Sequence, residues 1–164
     1  MSVAEIVQKI QYMIAPAVMV SSSALLLLGF HNKFSNLASR FRVLNQEKRL
    51  LSQKVHHETA EALRLKSLVE QVDQLMKRAS LVKNSILFTY LAIICFVSTS
   101  IFIFLNVYVT FQLNTAIAVV TPFQLNYAIA VVILAGFLSL VAACTFMILE
   151  TMLFYRVIAI EKKT

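Results

Sequence analysis

The chain has 164 residues, 59% of them hydrophobic and 14% charged, with two Gly, two Pro and a net charge of +7. One domain of that size in water cannot carry so much apolar and so little charged surface, which excludes an ordinary soluble globule. No Gly or Pro falls between Gly29 and Pro122, and the alternating polarity of a transmembrane barrel is missing, so the expectation is an all-α integral membrane protein.

In chain order, residues 1–13 place Val3, Ile6, Val7 and Ile10, continued by Ile14, on one face against Glu5, Gln8, Lys9 and Gln11. This is the pattern of an amphipathic interfacial helix, expected on the outer leaflet and bending into the membrane near Pro16. The charge-free run from Ile10 to Phe30 reaches the roughly 30 Å of a bilayer core at about 1.5 Å per residue, and transmembrane helix 1 is placed at 14–30. A cleaved signal peptide would need a basic leader, whereas Lys9 is balanced by Glu5, and the span is expected to be retained. Ala17 and Ser21 offer a short small-residue face there, and Ser21 to Ser23 a polar cluster expected to bond its own backbone. His31 marks the membrane boundary.

Residues 31–84 are expected to form a cytoplasmic antiparallel coiled helical hairpin. Phe34, Leu37, Phe41, Leu44, Leu51 and Val55 follow a three-four spacing with Lys48 in the one polar slot, and Leu65, Leu68, Val72, Leu75, Ala79 and Val82 repeat it. The polar stretch from Ser52 to Thr59 is where the chain reverses, with its tip near His56 and His57. These two with Glu61 could gather a metal across subunits, but adjacent His side chains diverge on a helix, and a solvated turn is the expected reading; no metal or other cofactor is expected. Each arm spans only about three heptads, too short to be stable alone, which favours self-association.

Transmembrane helix 2 is placed at 85–111. Ser85, Thr89, Thr99, Asn106 and Thr110 fall on one stripe with Phe96 among them. In an oligomer such a stripe could line a pore, hydroxyls and amides replacing part of an ion's hydration and Phe96 forming an apolar constriction. The structural alternative is that Ser and Thr bond their own backbone or a neighbouring helix. Cys95 here and Cys144 in the third span sit in apolar runs, where a thiol acts as a small hydrophobe.

Residues 112–124 form an uncharged outer loop. The stretch from Phe111 to Val120 recurs from Phe123 to Val132 with a single change, Thr115 against Tyr127. A shift of twelve residues turns a helix by roughly 120° beyond whole turns, so two copies in one helix could not present the same face. Pro122 reads as a fresh helix start, and the first copy becomes an apolar segment that packs on the membrane surface, re-enters it or meets another subunit, unless the fold merely tolerates the repeat. Transmembrane helix 3 occupies 125–149, where Ala135, Gly136, Ser139 and Ala143 make a small-residue groove for a close helix contact within or between subunits. Glu150 opens a cytoplasmic tail, 150–164, as an interfacial acid expected to pair with Arg156 rather than to act as a proton or cation site.

Eleven of the fifteen Lys and Arg lie between the first and second spans and none between the second and third. By the positive-inside rule the hairpin and the C-terminus face the cytoplasm and the N-terminus lies outside. The basic balance is thus topological; without aromatic interleaving or a fold signature it does not indicate nucleic acid.

Pro16-Ala17, Asn32-Lys33-Phe34, Arg40-Phe41-Arg42, Leu44, Gln74-Leu75 and Lys77-Arg78-Ala79 resemble a bacterial family described as domain of unknown function number two-seven-two-one, over roughly residues 10 to 110. The resemblance implies a small bacterial inner-membrane protein and carries no activity to transfer; the twelve-residue duplication departs from its pattern. The residues leave two function classes: a homo-oligomeric ion channel or pore lined by the second span, to which the polar stripe tips the reading, and a non-conducting scaffold or sensor that binds a cytoplasmic protein partner through the hairpin. No catalytic residues are indicated, and the expected associates are membrane lipid and further copies of the chain.

Overall fold

The computed structural model describes the backbone of residues 3–54, 59–112 and 121–161, and within these the side chains of Val7, Gln11 and residues 14–52, 63–105 and 127–155. Every described residue is helical, in α1 (Val3–Lys54), α2 (Thr59–Gln112) and α3 (Thr121–Glu161). All three are long and apolar enough to cross a membrane. The stretches expected as a surface segment, a first span and a first hairpin arm are one uninterrupted helix, with Pro16 inside it. Past that proline, the Ser21, Ser22 and Ser23 hydroxyls donate to the carbonyls of Ala17, Val18 and Met19 at 3.1, 2.9 and 2.8 Å. Thr121 and Pro122 open α3, where proline's missing N–H costs nothing because the first helical turn leaves its donors unpaired anyway. The second repeat copy lies in α3, whereas most of the first, together with His56 and His57, lies outside the described residues.

Two compact units divide these helices. The first comprises residues 1–28 and 87–143. Its large apolar side chains point outward, with Leu25 72%, Ile94 61% and Leu138 63% exposed, while Ser23, Thr89, Thr99 and Ser139 are buried with Ala92, Phe96 and Ala143. That polarity inverts a water-soluble core and suits an apolar solvent, in which small and hydroxyl-bearing residues let helices approach closely. Gly136 is such a point: a Cβ there would stand 2.8 Å from Phe96 Cε1 and 3.2 Å from the Cys95 Cβ. The Ser139 hydroxyl donates to the Phe88 carbonyl at 2.7 Å, and the rings of Phe96 and Phe137 meet edge to face at 5.7 Å.

The second unit comprises residues 29–86 and 144–164. Leu37, Leu68, Leu75 and Val82 of the expected seams are buried, whereas Phe34 is 37% exposed. Arg64 and Glu47 join the two arms at 2.7 Å. Segments 34–41 and 75–79 line a small apolar pocket between them. The segment following Glu150 is helical to residue 161 and belongs to this unit.

Candidate functional site

The one ionic cluster in the described residues that joins all three helices centres on Glu150, whose side chain is fully buried. A carboxylate withdrawn from water needs compensating cations and hydrogen bonds. Arg78 of α2 supplies both from one guanidinium, donating to Glu150 Oε1 from Nε at 3.0 Å and from Nη2 at 2.8 Å. The Glu150 Oε2 atom has no hydrogen bond and is met by the Lys33 ammonium of α1 as an ion pair. Lys33 also reaches the Thr151 hydroxyl at 3.3 Å, and that hydroxyl donates to the Met147 carbonyl at 2.9 Å. The Arg78 guanidinium lies 4.5 Å from the centre of the Phe154 ring, where ring electrons favour a cation.

Beside this cluster is a cleft of about 640 Å³, walled by Lys33, Asn36, Arg40, Arg78, Thr151 and Tyr155 among others. Among the described residues, no three His, Cys, Asp or Glu side chains gather as metal ligands. The geometry suits a clamp, in which three helices are tied by one acid.

Local pairing with Arg156 is the expectation from sequence for Glu150, and the Arg156 side chain lies outside the described ones; the partners that the structure gives Glu150 are Arg78 and Lys33. Six residues along a helix is roughly 240° past a full turn, whereas Lys33 and Arg78 arrive from other helices. A signal for them was present: each lies close to the end of an apolar run, as Glu150 does.

Of the expected pore-lining residues, Ser85, Thr89, Phe96 and Thr99 are buried in the chain's own packing, while the side chains of Asn106 and Thr110 lie outside those described. The Ser85 and Thr99 hydroxyls donate to the carbonyls of Leu81 and Cys95, four residues back, at 3.2 and 2.8 Å. Within one chain the described part of the stripe therefore faces protein, which leaves no water-facing wall at those four residues. Of the expected packing residues, Gly136, Ser139 and Ala143 are buried and Ala135 is exposed. The groove at Gly136 and Ser139 is thus filled from within the chain, by α2.

Three long apolar helices, one unit with its large apolar groups outward and an acid buried among cations mark an all-helical protein whose helices are long and apolar enough to cross a membrane. The chain belongs to the family described as protein of unknown function (DUF2721), which it matches over residues 13–160. The match takes in α3 and Glu150, beyond the 10–110 stretch in which the resemblance is legible by eye. No curated protein and no solved structure matches the chain.

Proposed function

We propose that this protein is a non-conducting scaffold of the bacterial inner membrane, with its N-terminus outside and its hairpin and C-terminus in the cytoplasm, which assembles with further copies through that hairpin. The observation that carries the reading is a second apolar row on each arm. Val43 and Leu50 of α1 are 62% and 60% exposed, and Val69 and Met76 of α2 are 44% and 53% exposed. Each pair is separated by seven residues, the repeat with which helices pack side by side in water. Outward leucines in a membrane span cost nothing, but in the cytoplasm each leaves apolar area wetted, and burial would recover roughly 25 cal/mol per Å². A second copy is the occupant argued for, because anchoring in one bilayer holds identical rows at one height and raises their effective concentration. The burial of Ser85, Thr89, Phe96 and Thr99 favours this reading over the channel, since an ion path needs its polar groups turned toward water.

In a background with Cys95 and Cys144 replaced by Ala, Leu50→Cys should cross-link to a dimer in native membranes. Val43→Lys combined with Leu50→Lys should lower the oligomer mass in mild detergent while helical content is retained. Cross-links solely to a species of another mass would make a different helical protein the occupant. A monomeric parent chain with no cross-link would overturn assembly through the hairpin. Ion flux from the purified protein in liposomes, reduced by Thr99→Val, would return the pore.

A further inference from the structure

The cleft beside Glu150 carries more positive charge than the described side chains neutralise. Lys33, Arg40 and Arg78 all line it. Lys33 and Arg78 share the single carboxylate of Glu150, and Arg40 pairs with no acid among the described residues, which leaves a surplus of two positive charges. Part of that surplus is poorly hydrated, because the Lys33 and Arg78 side chains are only 34% and 14% exposed. Cations held partly out of water attract an anion far more strongly than surface lysines do. The same walls hold the Asn36 amide and the Ser39 hydroxyl, groups that can donate to oxygens a guanidinium leaves uncovered. A volume of about 640 Å³ is in the range of small-molecule sites and much larger than a simple ion needs.

We propose that this cleft is a binding site for a phosphate-bearing anion. Arg40 is its principal contact, since its guanidinium fork matches phosphate oxygens and no carboxylate among the described residues competes for it, and Lys33 and Arg78 supply the surrounding field. The phosphate could be the headgroup of an acidic phospholipid or belong to a soluble compound. A headgroup suits the setting: residues 33–40 follow directly on the first apolar run, Thr151 on the third, and the wall residue Tyr155 is 68% exposed beside exposed Met152, as aromatic side chains at a membrane boundary are.

The test uses the full-length protein in a neutral detergent. Modification of Arg40 by an arginine-selective dicarbonyl reagent is followed by peptide mass, with added phosphatidylglycerol, phosphatidylcholine or inorganic phosphate. Phosphatidylglycerol should protect Arg40 where phosphatidylcholine does not, and protection by inorganic phosphate alone would support the site with a soluble anion as its occupant. Lipid binding should weaken about tenfold in Arg40→Gln, the scale of one hydrogen bond to a charged group. Arg42→Gln should leave it nearly unchanged, since Arg42 is also exposed but lies outside the cleft. Both substitutions are at exposed positions, so loss of fold does not confuse the comparison. The proposal is overturned if neither phosphatidylglycerol nor inorganic phosphate protects Arg40, if phosphatidylcholine protects it as well as phosphatidylglycerol does, or if the two substitutions weaken binding equally, which would reduce the effect to general surface charge.

Discussion

Glu150 is the residue on which the second unit's electrostatics turn, because its burial converts two ordinary cations into obligatory partners. Removing the acid alone leaves Lys33 and Arg78 facing each other with nothing between them, whereas removing acid and cations together leaves only apolar volume to fill. Glu150→Leu should therefore destabilise the protein by about 3–5 kcal/mol, measured by denaturant unfolding in mild detergent. Arg78→Met should cost nearly as much, since that guanidinium makes two of the carboxylate's bonds. Lys33 is a third exposed, so Lys33→Met should cost less, roughly 1 kcal/mol, as solvent screens the pair. The informative variant is the triple, Lys33→Met with Arg78→Met and Glu150→Leu, which should recover most of the loss. Additive losses in the triple would mean that the three side chains act through separate packing contacts and not as one ionic unit.

Among the elements, α2 and α3 meet where side chains are smallest, and the contact is sensitive to single atoms. The ring of Phe96 that a Cβ at Gly136 would strike is itself 1% exposed and set edge to face against Phe137, so it has little room to swing aside. Gly136→Ala should cost about 1–3 kcal/mol by overpacking. Ser139→Ala should cost about 0.6 kcal/mol for its lost bond to the Phe88 carbonyl. Ala135 is exposed on the same helix, so Ala135→Leu should leave unfolding unchanged; a fall in oligomer mass without loss of stability would make that side a contact between copies. The helices themselves were legible, since an apolar chain with no breaker between Gly29 and Pro122 has few other ways to satisfy its backbone. The polar stripe of α2 was legible as a stripe, but what it faces was not: spacing says which side chains share a helix face and is silent on whether water or another helix covers it. Phe34 shows the same limit, being in register with the seam yet 37% exposed. The Glu150 partners were missed because residues three or four apart are the only neighbours a helix sequence reveals, and these came from two other helices.

Over the whole molecule, charge and apolarity are separated along the chain in a way that carries an expectation for its placement in a bilayer. The segment joining the first two apolar runs holds eleven of fifteen basic residues, and the segment joining the second and third holds none. Lys and Arg resist translocation, so the expected orientation keeps the basic segment in the cytoplasm and carries the uncharged one across. The Glu150 cluster is consistent with that direction, because Lys33, Arg78 and Glu150 each stand at the end of an apolar run nearest the basic segment or the C-terminus. Single cysteines at Ser52 and Thr115, in a background with Cys95 and Cys144 replaced by Ala, test the orientation in intact cells with a membrane-impermeant thiol reagent. Thr115→Cys should be labelled from outside, and Ser52→Cys only after the membrane is permeabilised. Shielding of position 115 within the repeat would leave that site unlabelled until a denaturing detergent is added, and in that case Ser52→Cys, at an exposed position that labels on permeabilisation alone, still distinguishes the two directions. Labelling of position 52 in intact cells would reverse the orientation and with it the cytoplasmic assignment of the hairpin and of the cleft at Arg40.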